Sequence, residues 1–175
     1  IEVDWFFPNK SDHGSYSKLH IIESNYENVE TFFAHYCERN TQNYSFIITH
    51  FVELCAPVFK KINQLSSAKI IAVDHNPRPL NGYPLKKKIA KRIKGLLYSK
   101  YIFKFIGVSE YTTKEILNDF GNHLKSKTQT IYNGVLFHDI VKRNDRNFSN
   151  PSFLVASHLR KSKGIQDLID AVSLL

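Results

Sequence analysis

Three histidines stand where apolar runs give way to polar chain: His50 after Tyr44–Thr49, His75 after Ala68–Asp74, and His158 after Ser152–Ser157. An imidazole at the end of a buried strand can give or take a proton near neutral pH and can hydrogen-bond a bound hydroxyl. In Asp74-His75-Asn76 the carboxylate can cap a turn or hold His75 in one tautomer. The alternative for each histidine is an ordinary hydrogen-bonded structural role. Two further apolar runs end at Ser109-Glu110 and at Asn133-Gly134. A second cluster is Ser157–Gly164, which carries His158, Arg160, Lys161 and Lys163. Basic side chains and free backbone N–H groups at a helix start suit a diphosphate, although a solvated basic loop has the same composition. The glycine-rich stretch of a Walker loop is absent. No metal-ligating cluster, GxSxG elbow or paired-carboxylate arrangement is present in the sequence, so no metal or cofactor is expected.

The elements that must position these residues follow from periodicity and punctuation. Short apolar runs predict strands at Glu2–Phe7, Tyr44–Thr49, Ala68–Asp74, Ile102–Val108, Thr128–Tyr132 and Ser152–Ser157. Helical spacing predicts helices over 28–38, Phe51–Leu65 with Pro57 in its first turn, Leu85–Ser99, and Gly164–Leu175 with Ile165, Leu168, Ile169, Val172 and Leu175 inward. Ser109 reads as the N-cap of a helix that ends at Phe120, with Gly121 as its stop. Residues 9–17 and 76–84 read as loops, Asn133-Gly134 as a turn and 136–151 as a polar linker. Strands that are continuously apolar and alternate with helices predict an α/β fold: a Rossmann-like parallel sheet with helices on both faces. In such sheets ligands bind beyond the carboxyl ends of the strands, where His50, His75, Asn76, Ser109, Glu110, Asn133 and Gly134 all fall.

Composition narrows the setting. Hydrophobic residues make up 42% of 175 residues, enough for a real core, and no apolar run approaches the roughly 20 residues of a membrane span. No secretory signal is visible. Cys37 and Cys55 form no CxxC pair, which suits reduced thiols in a cytoplasmic protein. The formal charge of +8 comes from one segment. Between Leu85 and Lys104 stand Lys86, Lys87, Lys88, Lys91, Arg92, Lys94, Lys100 and Lys104, and no acid occurs between Asp74 and Glu110. The segment fits an ordinary solvated surface helix or a helix lying on an anionic membrane, since clustered lysines gain about 1 kcal/mol each near such lipids. Nucleic acid is the least favoured partner, because the run's aromatics are confined to its end, at Tyr98, Tyr101 and Phe103, and no known nucleic-acid motif appears.

The runs Phe105–Glu110 and Thr130–Val135, with the helix ending at Gly121 between them, resemble glycosyltransferase family 4. Thr49-His50 and Ala72–His75 resemble that family's acceptor-side strands. Phe153–His158, Lys163–Ile165 and Leu168–Ala171 resemble the opening of its donor domain. The resemblance covers about Tyr44 to Leu175. It implies a GT-B fold, with an acceptor-binding domain over 1–135, the linker 136–151, and the first strand and helix of a donor domain over 152–175. The activity it implies is retaining sugar transfer from a nucleotide sugar to a glycan or lipid-linked acceptor, in cell-surface polysaccharide or glycolipid assembly. His75 matches the histidine that contacts the transferred sugar, and Lys163 matches the lysine that holds the donor diphosphate. The family's arginine five residues earlier stands here as His158, with Arg160 nearby but out of register. The family's glycine-rich first strand and loop and its paired-glutamate motif do not occur, so the 175-residue chain by itself is expected not to turn over. The alternative function is a non-catalytic module that docks on an anionic membrane or a partner through residues 85–104. On either reading the expected place is the cytoplasm, or the cytoplasmic face of a membrane.

Overall fold

The computed structural model describes residues 1–10, 16–40, 43–79, 81–134, 152–157 and 163–174. They divide into two compact units, Ile1–Gly134 and Val135–Leu175. The first unit contains, in chain order, β1 (Asp4–Phe7), β2 (His20–Glu23), α1 (Val29–Arg39), β3 (Phe46–His50), α2 (Val58–Leu65), β4 (Lys69–Asp74), α3 (Leu85–Tyr98), β5 (Lys104–Gly107), α4 (Glu110–Phe120) and β6 (Thr128–Thr130). The second unit contains α5 (Ile165–Val172). Strands β3-β4-β5-β6 form a parallel four-stranded sheet in that order, and β1 pairs with β2 in a parallel two-stranded sheet. The fold is therefore α/β and Rossmann-like, because parallel neighbours require a crossover and here helices supply it.

Register sets which side chains share a face. Thr49 lies beside Ala72, and Ala72 beside Phe105, so Ile47, Ile70, Ala72 and Phe105 point to one side. That side is the core, packed by Phe59 and Ile62 of α2 and by Ile116 and Phe120 of α4. The other side is buried at Val73 and Ile106 but exposed at Phe46 and Ile48. The β1–β2 pair is tied to the main sheet by the Tyr44 hydroxyl, which donates to Asp4 Oδ2 at 2.6 Å, and Phe6 packs edge-on against Phe33 and Tyr36.

Several local expectations change. The helix expected over Phe51–Leu65 begins only at Val58. Phe51 sits at φ 62, in the left-handed region that a helix does not admit, and Pro57 with φ −58 provides the start. Leu54 and Cys55 remain buried as loop residues. Strand β2 is not expected from the sequence, since its four residues, His-Ile-Ile-Glu, hold only two apolar side chains and give no periodic signal. Ser152–Ser157 forms no strand, because no described strand lies beside it, and Phe153, Leu154 and Val155 are exposed. Helix α5 buries none of its residues, so the inward face expected for it has nothing described to pack on. No turn forms at Asn133-Gly134, where the chain runs on without regular structure. The linker 136–151 lies outside the described residues.

Candidate functional site

The ends of four parallel strands place His50, Asp74, Gly107 and Thr130 along one rim of the sheet. On this rim β3 and β4 are neighbours, and their offset register brings His50 and His75 together. His50 Nδ1 lies 2.8 Å from His75 Nε2, and the rings tilt at 40°. Phe51 stacks on the His75 ring with centroids 4.7 Å apart. This stacking depends on the left-handed backbone of Phe51, a conformation that costs a bulky residue about 1–3 kcal/mol and that concentrates at functional sites. Partial burial, and then the charge on His75, lower the His50 pKa below the usual histidine value. His50 therefore stays neutral where a free imidazole would charge. The pair can relay a hydrogen bond, and His75 is half-buried within reach of a ligand on the rim.

Asp74 does not orient His75. Its Oδ1 accepts from the Asn76 backbone N–H at 3.0 Å, which closes the turn, and its Oδ2 accepts from Arg78 Nη2 at 2.7 Å. Arg78 was not singled out from the sequence, although its spacing of four from Asp74 was a signal. It is buried, donates from Nη1 to the Asn76 carbonyl at 2.7 Å and from Nε to Asp119 Oδ2 at 2.7 Å. Lys91 Nζ reaches the same Asp119 oxygen at 2.9 Å. Burial alone would depress the Arg78 pKa, but the hydrogen bond and charge of Asp74, with Asp119, more than offset it and hold it above the ordinary arginine value. Two carboxylates and two cations thus clamp the loop after β4 to α3 and α4. The polar backbone of Asp74–Asn76 is fixed, so His75 is presented from a rigid turn.

Beside this turn lies an open cavity of ≈ 320 Å³ whose wall includes Phe51, Asn76, Arg78, Tyr83, Lys87 and Lys91. Lys87 Nζ sits 4.3 Å from the Tyr83 ring centroid. Among the described residues Lys87 has no carboxylate partner, so it is the cation in this wall left to meet an anionic or hydroxyl-rich ligand.

The other expected residues divide. The Ser109 hydroxyl accepts from the Thr112 N–H at 3.2 Å while the Thr112 hydroxyl accepts from the Ser109 N–H, so Ser109 is committed to the capping box of α4. Glu110 is exposed in the first turn of α4, close to Tyr132, whose hydroxyl pKa it raises. Asn133 and Gly134 are exposed beyond β6. Of the six basic residues expected to face a membrane, Lys91 turns to Asp119 and Lys94 turns to Glu53, 2.7 Å away, so both serve the protein body. Lys86, Lys87, Lys88 and Arg92 are exposed. Lys163 is exposed just before α5, and His158 and Arg160 lie outside the described residues. Among the described residues no group of three His, Cys, Asp or Glu side chains could hold a metal ion, and no helix is long and apolar enough to cross a membrane.

Comparison with protein-family models, with curated proteins and with solved structures finds no match.

Proposed function

We propose that this chain is the acceptor-side part of a nucleotide-sugar-dependent retaining glycosyltransferase acting on a glycan or lipid-linked acceptor at the cytoplasmic face of a membrane. The observation that carries the reading is the His50–His75 pair on the carboxyl rim of the parallel sheet, beside an open polar cavity. His75 bonds hydroxyls of the sugar being transferred. His50 positions it through the 2.8 Å contact, and Asn76 and Glu110 line the acceptor side. Lys163, with His158 and Arg160, meets the donor diphosphate. Charge on the leaving phosphates is offset by these side chains and by the start of α5.

The test is sugar transfer by the full-length gene product, with a panel of nucleotide sugars and glycan or lipid-linked acceptors, and the product's anomeric configuration read by NMR. His75→Ala is expected to lower turnover by about 100-fold or more, the usual scale for a preorganised hydrogen-bond donor. His50→Ala is expected to cost less. A His75→Ala protein that transfers sugar at the wild-type rate, or transfer with inverted configuration, overturns the reading.

A further inference from the structure

Helix α3 is amphipathic, yet it is seated with its apolar stripe outward. Leu85, Ile89, Ile93 and Leu96 follow one another at helical spacing, with Leu97 alongside. They are 73%, 52%, 51%, 67% and 53% exposed. The opposite side holds the helix in place. Gly95 is buried against α4 so closely that a Cβ there would lie 2.2 Å from the Phe120 carbonyl oxygen. Lys91 is bound to Asp119 and Lys94 to Glu53. These three contacts fix the rotation of the helix, so the stripe has no route inward.

An apolar stripe that a surface helix would ordinarily bury has therefore been left for something else to cover. Its frame says what. Helical geometry puts Lys88 and Arg92 along one border and Lys86 at its amino-terminal end. All three are exposed, and among the described residues none has a carboxylate partner. No acid occurs from His75 to Ser109. A second copy docking on the same face would bring these cations together, which disfavours self-association. A bilayer rich in anionic headgroups satisfies both halves: acyl chains take the apolar stripe, and lysine and arginine stems snorkel to the phosphates.

We propose that α3 lies in the interface of an anionic membrane, inserting Leu85, Ile89, Ile93 and Leu96 while Lys86, Lys88 and Arg92 engage lipid phosphates. Lys91 and Lys94, basic like their neighbours, stay on the protein body and take no part. Tyr83, Lys87 and Lys91 wall the cavity beside the Asp74–Asn76 turn, so that cavity lies on the side of α3 turned away from the stripe. The proposal stands whether or not the chain transfers sugar, since vesicle binding and turnover are read separately.

Cosedimentation of the 175-residue chain with phosphatidylcholine vesicles, with and without phosphatidylglycerol, at low and high salt tests it. Binding is expected to the phosphatidylglycerol vesicles and to weaken with salt. Ile89→Glu/Ile93→Glu is expected to weaken it by at least about tenfold, because two apolar side chains no longer insert. Lys86→Ser/Lys88→Ser/Arg92→Ser is expected to weaken it by at least about tenfold through lost charge. All these positions are exposed, and circular dichroism checks that the variants stay folded. Three results each overturn the proposal: equal binding to both vesicle types, wild-type binding by the glutamate variant, or a wild-type dimer in solution that the glutamate variant makes monomeric.

Discussion

Helices α3 and α4 lie side by side and use the same amphipathic pattern in opposite ways. α4 buries Ile116 and Phe120 completely and begins with a capping box at Ser109. α3 carries a longer apolar stripe, exposes all of it, has no side-chain cap, and meets α4 through Gly95 and Lys91, while Lys94 pairs with Glu53 of the loop before α2. The difference teaches that hydrophobic periodicity establishes that a face exists, but close approach and ion pairing decide where it points. In α3 the glycine admits the Phe120 backbone and the lysines find Asp119 and Glu53, and these together outweigh the tendency of the stripe to turn inward.

Three substitutions grade this contrast, each read from the urea unfolding midpoint. Phe120→Ala removes a fully buried ring from α4 and is expected to cost about 3–5 kcal/mol. A loss under about 1 kcal/mol would mean that α4 does not anchor the core. Gly95→Ala places a methyl against the Phe120 carbonyl and forces the two helices apart, at about 1–3 kcal/mol. If the alanine variant is instead more stable, as helix propensity alone would make it, the close seat of α3 on α4 is wrong. Leu96→Ser, in the middle of the outward stripe, is expected to change stability by less than about 0.5 kcal/mol. A loss above about 2 kcal/mol would show that the stripe is buried in the folded chain.

The candidate site has the same division between what residues announce and what packing decides. That His75 ends a buried strand was legible from the apolar run before it. Its pairing with His50 was not, because contact between residues 25 positions apart depends on β3 and β4 being neighbours in one register. The clamp of Arg78 on Asp74 and Asp119 was hidden for a similar reason: Asp119 arrives from the far end of α4. Phe51 reads as helical because its apolar spacing continues into α2, whereas residues 51–57 form a loop that opens on the left-handed backbone of Phe51 and ends at Pro57.

By itself the sequence determined the local elements. Ser109 started α4 and Gly121, at φ 124, stopped it, because capping is a matter between near neighbours. The apolar runs became the four parallel strands, and the acid-free stretch fixed the charge of α3. Only the tertiary structure decided which cations were left over, which face of α3 turned outward, and which histidine met which. Those outcomes rest on pairings across 25 to 41 residues in sequence, where register, close backbone approach and buried charge select among arrangements that the local pattern leaves equal.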